Sequence, residues 1–204
     1  MTFWAPDDPR LRWNVNAARS KRGAYAWLDP NGQPNRGHDQ IRGSASLNQS
    51  AAEALFQGAY VALEDAISSA QSGTPQSVLL ATRVSISTTT IHRNVESWNV
   101  LAKLEGSDPQ LKDEYVSYVA HADHFGVGVN FTGDDIYNGA HDNASGSAIV
   151  LEIARAFKSL PEPPRRSVLF MIVTAEEWGL LGSDYFVQNP TVSQSDLVAN
   201  FSLD

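Results

Sequence analysis

Hydrophobic positions are scattered along the first third of the chain and, from about Val78 onward, gather into short runs that end in polar or acidic residues. The clearest is Val168 to Val173, wholly apolar and bounded by Arg166 and by the acids of TAEE (174–177). A run this short and rich in β-branched residues predicts a strand buried on both faces. EYVSYVAHAD (114–123) carries a second mostly apolar run, ending in His121, and SWNVLAKLEG (97–106) and DLVANFSLD (196–204) read as further strands. VLLATRVSISTTT (78–90) predicts another, because Val84, Ile86 and Thr88 alternate with polar neighbours. Ile149, Val150, Ile153, Ala154 and Phe157 repeat at helical spacing and predict a helix over 145–158, with a shorter one over 179–188. Strands alternating with helices predict an α/β fold. Two early strands adjoin with no helix between them, so the sheet is expected to be mixed but mostly parallel, flanked by helices.

The region before residue 78 reads differently. Residues 1–47 are rich in Pro, Gly, Asn and Arg. GAYAWLDP (23–30) predicts a short strand and NGQPNRG after it a turn. Ser50 and Glu53 fit a capping box opening a helix to about Ala70, with Leu55, Phe56, Ala59, Leu63, Ala66 and Ile67 on one face. QSGTPQS (71–77) reads as a linker, so the expected organisation is a segment 1–75 and a domain 76–204.

Composition narrows the chemistry. Hydrophobic residues make up 42% and charged residues 19%, a globular balance. A net charge of -8 argues against a nucleic-acid partner, which needs a basic face. No run of apolar residues is long enough for a membrane-spanning helix, and the first 20 residues lack the apolar core of a signal peptide. With no cysteine, any metal must be held by His, Asp and Glu.

Such residues recur at the ends of the predicted strands. His121 and Asp123 lie in HADH, Asp142 in GAHDNASG, Glu176 and Glu177 in TAEEWGLLGS, and Asp204 in NFSLD. In an open α/β sheet, ligands bind outside the carboxyl ends of the strands. Carboxylates crowded there repel unless a divalent cation neutralises them, so the set points to metal-assisted hydrolysis. Adjacent acids cannot point the same way. One of Glu176 and Glu177 can bind metal while the other faces a water. His38 and His92 have no ligand-like neighbours and are expected at the surface. Asn48, Asn130, Asn143 and Asn200 head glycosylation-type triplets, which arise often by chance. Trp178 is expected to pack against its surroundings.

In these strings, over residues 97–204, the chain resembles the zinc peptidase family M28: a His-x-Asp after a strand, a Gly-Ala-x-Asp-Asn-x-Ser-Gly turn, an Ala-Glu-Glu-x-Gly-Leu-x-Gly-Ser segment, and a strand ending in Leu-Asp. The resemblance implies two zinc ions bridged by Asp142, one bound also by His121 and Asp204, the other by Glu177. It implies that Glu176 is the general base acting on a metal-bridging water, that Asp123 orients the His121 ring, and that the Asp142–Asn143 peptide is cis. The implied fold is that of zinc-dependent exopeptidases. The implied activity is a metallo-aminopeptidase acting on peptide N-termini, with a secreted or periplasmic address. Carboxypeptidase, glutaminyl cyclase and non-catalytic binding functions on the same fold stay open.

The family's fifth ligand, a His beyond the Leu-Asp strand, is not present, so the fold is expected to be incomplete at its C-terminus and the chain alone weakly active or inactive. His124 is expected to be structural, and His141 a neighbour of the pocket. IRGSASLNQSAAEALFQGA (41–59) resembles the tail of a protease-associated domain, a short strand entering a helix.

Overall fold

The computed structural model describes residues 23–35, 43–128 and 134–204, together with residues 13, 17, 20, 40 and 41. His38 and Asn130 lie outside them. The chain forms two units, residues 1–23 with 36–93 and residues 24–35 with 94–204. The expected boundary at residue 75 lies inside the first of these units, and the segment 24–35 goes with the second.

In the first unit, two helices replace the single one expected. Helix α1 (Gln49–Phe56) opens at Asn48, whose Oδ1 accepts the Ala51 N–H at 2.9 Å. Asn48, and not Ser50, is the cap. Gly58, at φ +77°, turns the chain out of helical geometry before α2 (Leu63–Gln71). The apolar face still closes on itself: Phe56, Leu63 and Ala66 are buried, with Leu55, Ala59, Ile67, Val78 and Leu80 packed against them. Residues 78–90 form neither helix nor strand, with a bend at Ala81, and Val84 and Ile86 are exposed. Strand composition is not enough without a hydrogen-bonded neighbour. No strand leads into α1 from residues 43–48 either.

The second unit is built on a four-stranded sheet in the order β1-β5-β2-β6, from β1 (Val100–Leu104), β2 (Tyr115–His121), β5 (Ser167–Val173) and β6 (Leu197–Ser202). Strands β5, β2 and β6 are parallel and β1 is antiparallel to β5, the mixed sheet expected. A small hairpin, β3 (Gly126–Val127) with β4 (Ile136–Tyr137), stands apart.

The alternation along β5 divides the core. Val168 and Phe170 pack with Ala120 and with Val150, Ile153, Ala154 and Phe157 of α3 (Ser145–Lys158). Leu169, Met171 and Val173 pack on the other face with Phe186 of α4 (Leu181–Gln188). One face per parity is what the pleat requires, and two buried faces explain the unbroken apolar run. Ile149, expected on the buried face of α3, is exposed. GAYAWLDP gives a single bridge, Leu28 to Pro34, not a strand. Among the described residues, no helix is long and apolar enough to cross a membrane.

Candidate metal centre

Because β5, β2 and β6 run parallel and adjacent, their carboxyl ends face one volume. His121 is the last residue of β2, the Glu pair follows β5, and Asp204 follows β6. The ladder continues past the strands through Ala122 N–H to the Val173 carbonyl (2.9 Å) and Leu203 N–H to the Val119 carbonyl (2.9 Å), so these ends are rigidly spaced. Asp142 arrives from the turn 140–144 before α3, where the Asp142–Asn143 peptide is cis. Buried Asn143 holds that turn in place. Its Nδ2 donates to the Leu203 carbonyl (2.7 Å) and its Oδ1 accepts the Gly146 N–H (2.8 Å). A side chain on Gly146 would collide with Asn143 and the Leu203 carbonyl. Ser147 Oγ donates to the His121 carbonyl at 2.9 Å, fixing α3 to β2.

His121 is 2% exposed and sits at the centre. Its Nδ1 faces the Asp123 carbonyl at 2.9 Å, and its Nε2 lies 3.1 Å from both Asp142 Oδ1 and Asp204 Oδ1 and 3.8 Å from Glu176 Oε2. The ring is thus held by the main chain of Asp123. The Asp123 carboxylate is 3.9 Å away and accepts the Glu176 N–H at 3.3 Å. With the Nδ1 proton on the Asp123 carbonyl, Nε2 turns a lone pair toward two carboxylates. Only a proton or a cation between them relieves that repulsion.

The Glu pair diverges as expected. Glu176 turns toward His121, while Glu177 Oε1 lies against His124 Nδ1 without forming a hydrogen bond to it. Both of these buried atoms, and Asp123 Oδ2, lack hydrogen-bond partners. Two donor groups result, His121/Asp142/Asp204 and His124/Asp142/Glu177, with the ligand atoms of each within 4.8 Å of one another. Asp142 belongs to both. Imidazole and carboxylate donors, together with orphaned buried donor atoms, fit divalent-cation binding.

His124 was read from the sequence as structural, and the structure brings it to the centre. Its position immediately after His-x-Asp was the available signal. His141 is exposed, and its carbonyl accepts Ser145 Oγ at 2.6 Å. His92 is exposed as expected. Trp178 packs between Tyr25 and Phe125, with ring centroids 4.5 and 5.8 Å away.

The charges cooperate. Burial opposes protonation of His121, yet the Asp123 carbonyl, Asp204, Glu176 and the Asp123 carboxylate together raise its pKa above the ordinary value of 6.5. Burial raises that of Glu176 above 4.5. His121 opposes this, and Asp204, Glu177 and Asp142 add to it.

Parallel strands whose carboxyl ends gather histidines and carboxylates form a candidate metal centre. Residues 99–204, more than half of the chain, match the model of peptidase family M28, and the chain belongs to that family. Aminopeptidase YwaD of Bacillus subtilis is 36% identical over 89 residues, covering 42% of this chain and 19% of the relative. Leucine aminopeptidase 2 of Trichophyton equinum is 31% identical over 106 residues, covering 52% and 19%. A solved zinc aminopeptidase from Bacillus subtilis aligns at 32% identity over 50% of this chain and 23% of that one, with a TM-score of 0.38. The chain thus spans about a fifth of the length of these sequence relatives.

Proposed function

We propose that this chain carries the metal centre of a zinc-dependent aminopeptidase. The observation that carries the reading is the pair of donor groups sharing Asp142, with Glu176 beside one of them. The family and the names of the relatives supply the substrate class, the N-terminal end of a peptide.

In this reading His121 and Asp204 would hold one ion and Glu177 and His124 the other, with Asp142 available to both. When bound, zinc supplies Lewis acidity that polarises the scissile carbonyl and makes water more acidic. The remaining work falls to the chain. Glu176 Oε2 takes one proton of the attacking water and delivers it to the departing amine. The water's second proton leaves the new carboxyl group for the same amine, so one water is consumed and a carboxylate and a protonated amine result. Asp123 fixes the His121 ring through its carbonyl and the Glu176 main chain through its carboxylate.

The test is zinc titration with hydrolysis of aminoacyl p-nitroanilides, on the chain and on a C-terminally extended form. Metal-dependent release of nitroaniline with zinc bound supports the reading. Absence of zinc binding in both forms contradicts it.

A further inference from the structure

The segment 24–35 is separated from the rest of its unit by the residues of the other unit, yet it folds with the metal-centre unit. It closes on itself first. The Asn35 N–H donates to the Trp27 carbonyl and the Asp29 N–H to the Gln33 carbonyl, both at 2.8 Å, and the Asp29 carboxylate accepts the N–H groups of Asn31 (2.8 Å) and Gln33 (2.7 Å). The result is a tight hairpin bridged at Leu28 and Pro34.

Trp27 Nε1 and Asn35 Nδ2, from its two arms, both donate at 2.7 Å to one oxygen, Asp184 Oδ2, in the first turn of α4. The Trp27 ring meets Tyr185 edge-on at 5.5 Å. So anchored, the hairpin lays Tyr25 against Trp178, the residue that follows Glu177, with Phe125 touching the same indole.

The loop it reaches is costly to hold. Ala175, at φ +54°, and Leu180, at φ +59°, bracket the Glu pair in left-handed geometry. Non-glycine residues persist there only when their surroundings over-determine them. Part of that support is internal. Asn99 accepts the Thr174 N–H (3.1 Å) and donates to the Gly182 carbonyl (2.7 Å), clamping the two feet of the loop. Nothing in that clamp reaches Trp178 at the crown. We propose that the hairpin 24–35 positions the Glu176–Glu177 loop, with Tyr25 and Trp27 as positioning residues acting through Trp178 and Asp184. The inference rests on the metal-centre reading for what the loop must present.

Hydrogen exchange on the metal-free protein isolates the positioning, and zinc competition with a chelator isolates its consequence. The amides of Gly179, Leu180 and Leu181, bonded back to the Glu176 and Ala175 carbonyls, report the loop. Tyr25→Ala and the milder Trp27→Phe, which keeps a ring and deletes one donor, should speed their exchange by about threefold to tenfold. The β2 amides should stay at wild-type rates, Tyr25→Phe should restore the wild-type pattern, and zinc retention should weaken in parallel with loop exchange. Unchanged loop exchange in both variants, a rise shared equally with β2, or faster loop exchange with unaltered zinc retention would each overturn the proposal. Failure of the wild-type protein to bind zinc would instead sink the metal reading, whatever the exchange pattern.

Discussion

The Asn143 side chain donates to the Leu203 carbonyl at 2.7 Å, joining the neighbours of Asp142 and Asp204, the two carboxylates that flank His121 Nε2. Asn143→Ala leaves that carbonyl and the Gly146 N–H without their partner in a buried place. We expect a loss of about 1–3 kcal/mol in denaturant unfolding. Zinc affinity should fall by about 10–100-fold, the usual effect of removing a group that orients ligands. Unchanged affinity would show that the turn does not depend on this tie.

His124 separates the two donor groups experimentally. Replacing it by Ala should remove the ion shared by Glu177 and Asp142 and leave the one at His121, so metal analysis should give a chain that has lost one ion and kept the other. A full complement of metal in His124→Ala would return His124 to the structural role that its sequence context suggests.

Stability of the metal-free protein should depend on pH with a definite sign. His121 and Glu176 both bind their protons more tightly in the folded state than at their ordinary values of 6.5 and 4.5. The folded protein therefore holds more protons, and stability falls as pH rises. The His121 contribution is complete below 6.5 and lost as pH climbs through its folded value. Glu176 behaves likewise from 4.5 upward. Denaturation midpoints measured without metal should decline from about pH 5 to about pH 8. Zinc should reverse the trend, because a cation takes the place of those protons and binds better as they leave. A metal-free midpoint that rises across this window would contradict the electrostatic account.

Gly182 tests the feet of the Glu loop. A Cβ there would meet the Thr174 carbonyl, and Asn99 Oδ1 at 2.6 Å. Gly182→Ala should cost about 1–3 kcal/mol through overpacking, read by thermal unfolding. An unchanged midpoint would show that the clamp yields without cost.

The sheet was legible because its signal is period and run length. Val168 to Val173 alternates between two cores with no polar residue to break the pattern, so strand and burial follow together. The first unit was harder. A helical face from Leu55 to Ile67 is continuous in sequence, and only the positive φ at Gly58 reveals two helices. Val84 and Ile86 alternate like a strand, yet strand formation depends on a partner that local pattern does not encode. At the centre, strand ends located His121, Glu176, Glu177 and Asp204. Asp123 was named as the residue that orients the His121 ring, but which of its atoms does so was not legible, since a main-chain carbonyl leaves no trace in residue type. The Trp27–Asp184 contact was invisible for a different reason: its partners are 157 positions apart.

The division of labour within the Glu pair is the most direct test of the whole account. Zinc content and aminoacyl p-nitroanilide turnover should be measured for Glu176→Gln and Glu177→Gln in the C-terminally extended form, beside its wild type. The account predicts that Glu176→Gln keeps its zinc and loses about 10²–10⁴-fold in turnover. Glu177→Gln should lose an ion along with its activity. Substantial turnover in Glu176→Gln, or an undiminished zinc content in Glu177→Gln, would contradict it.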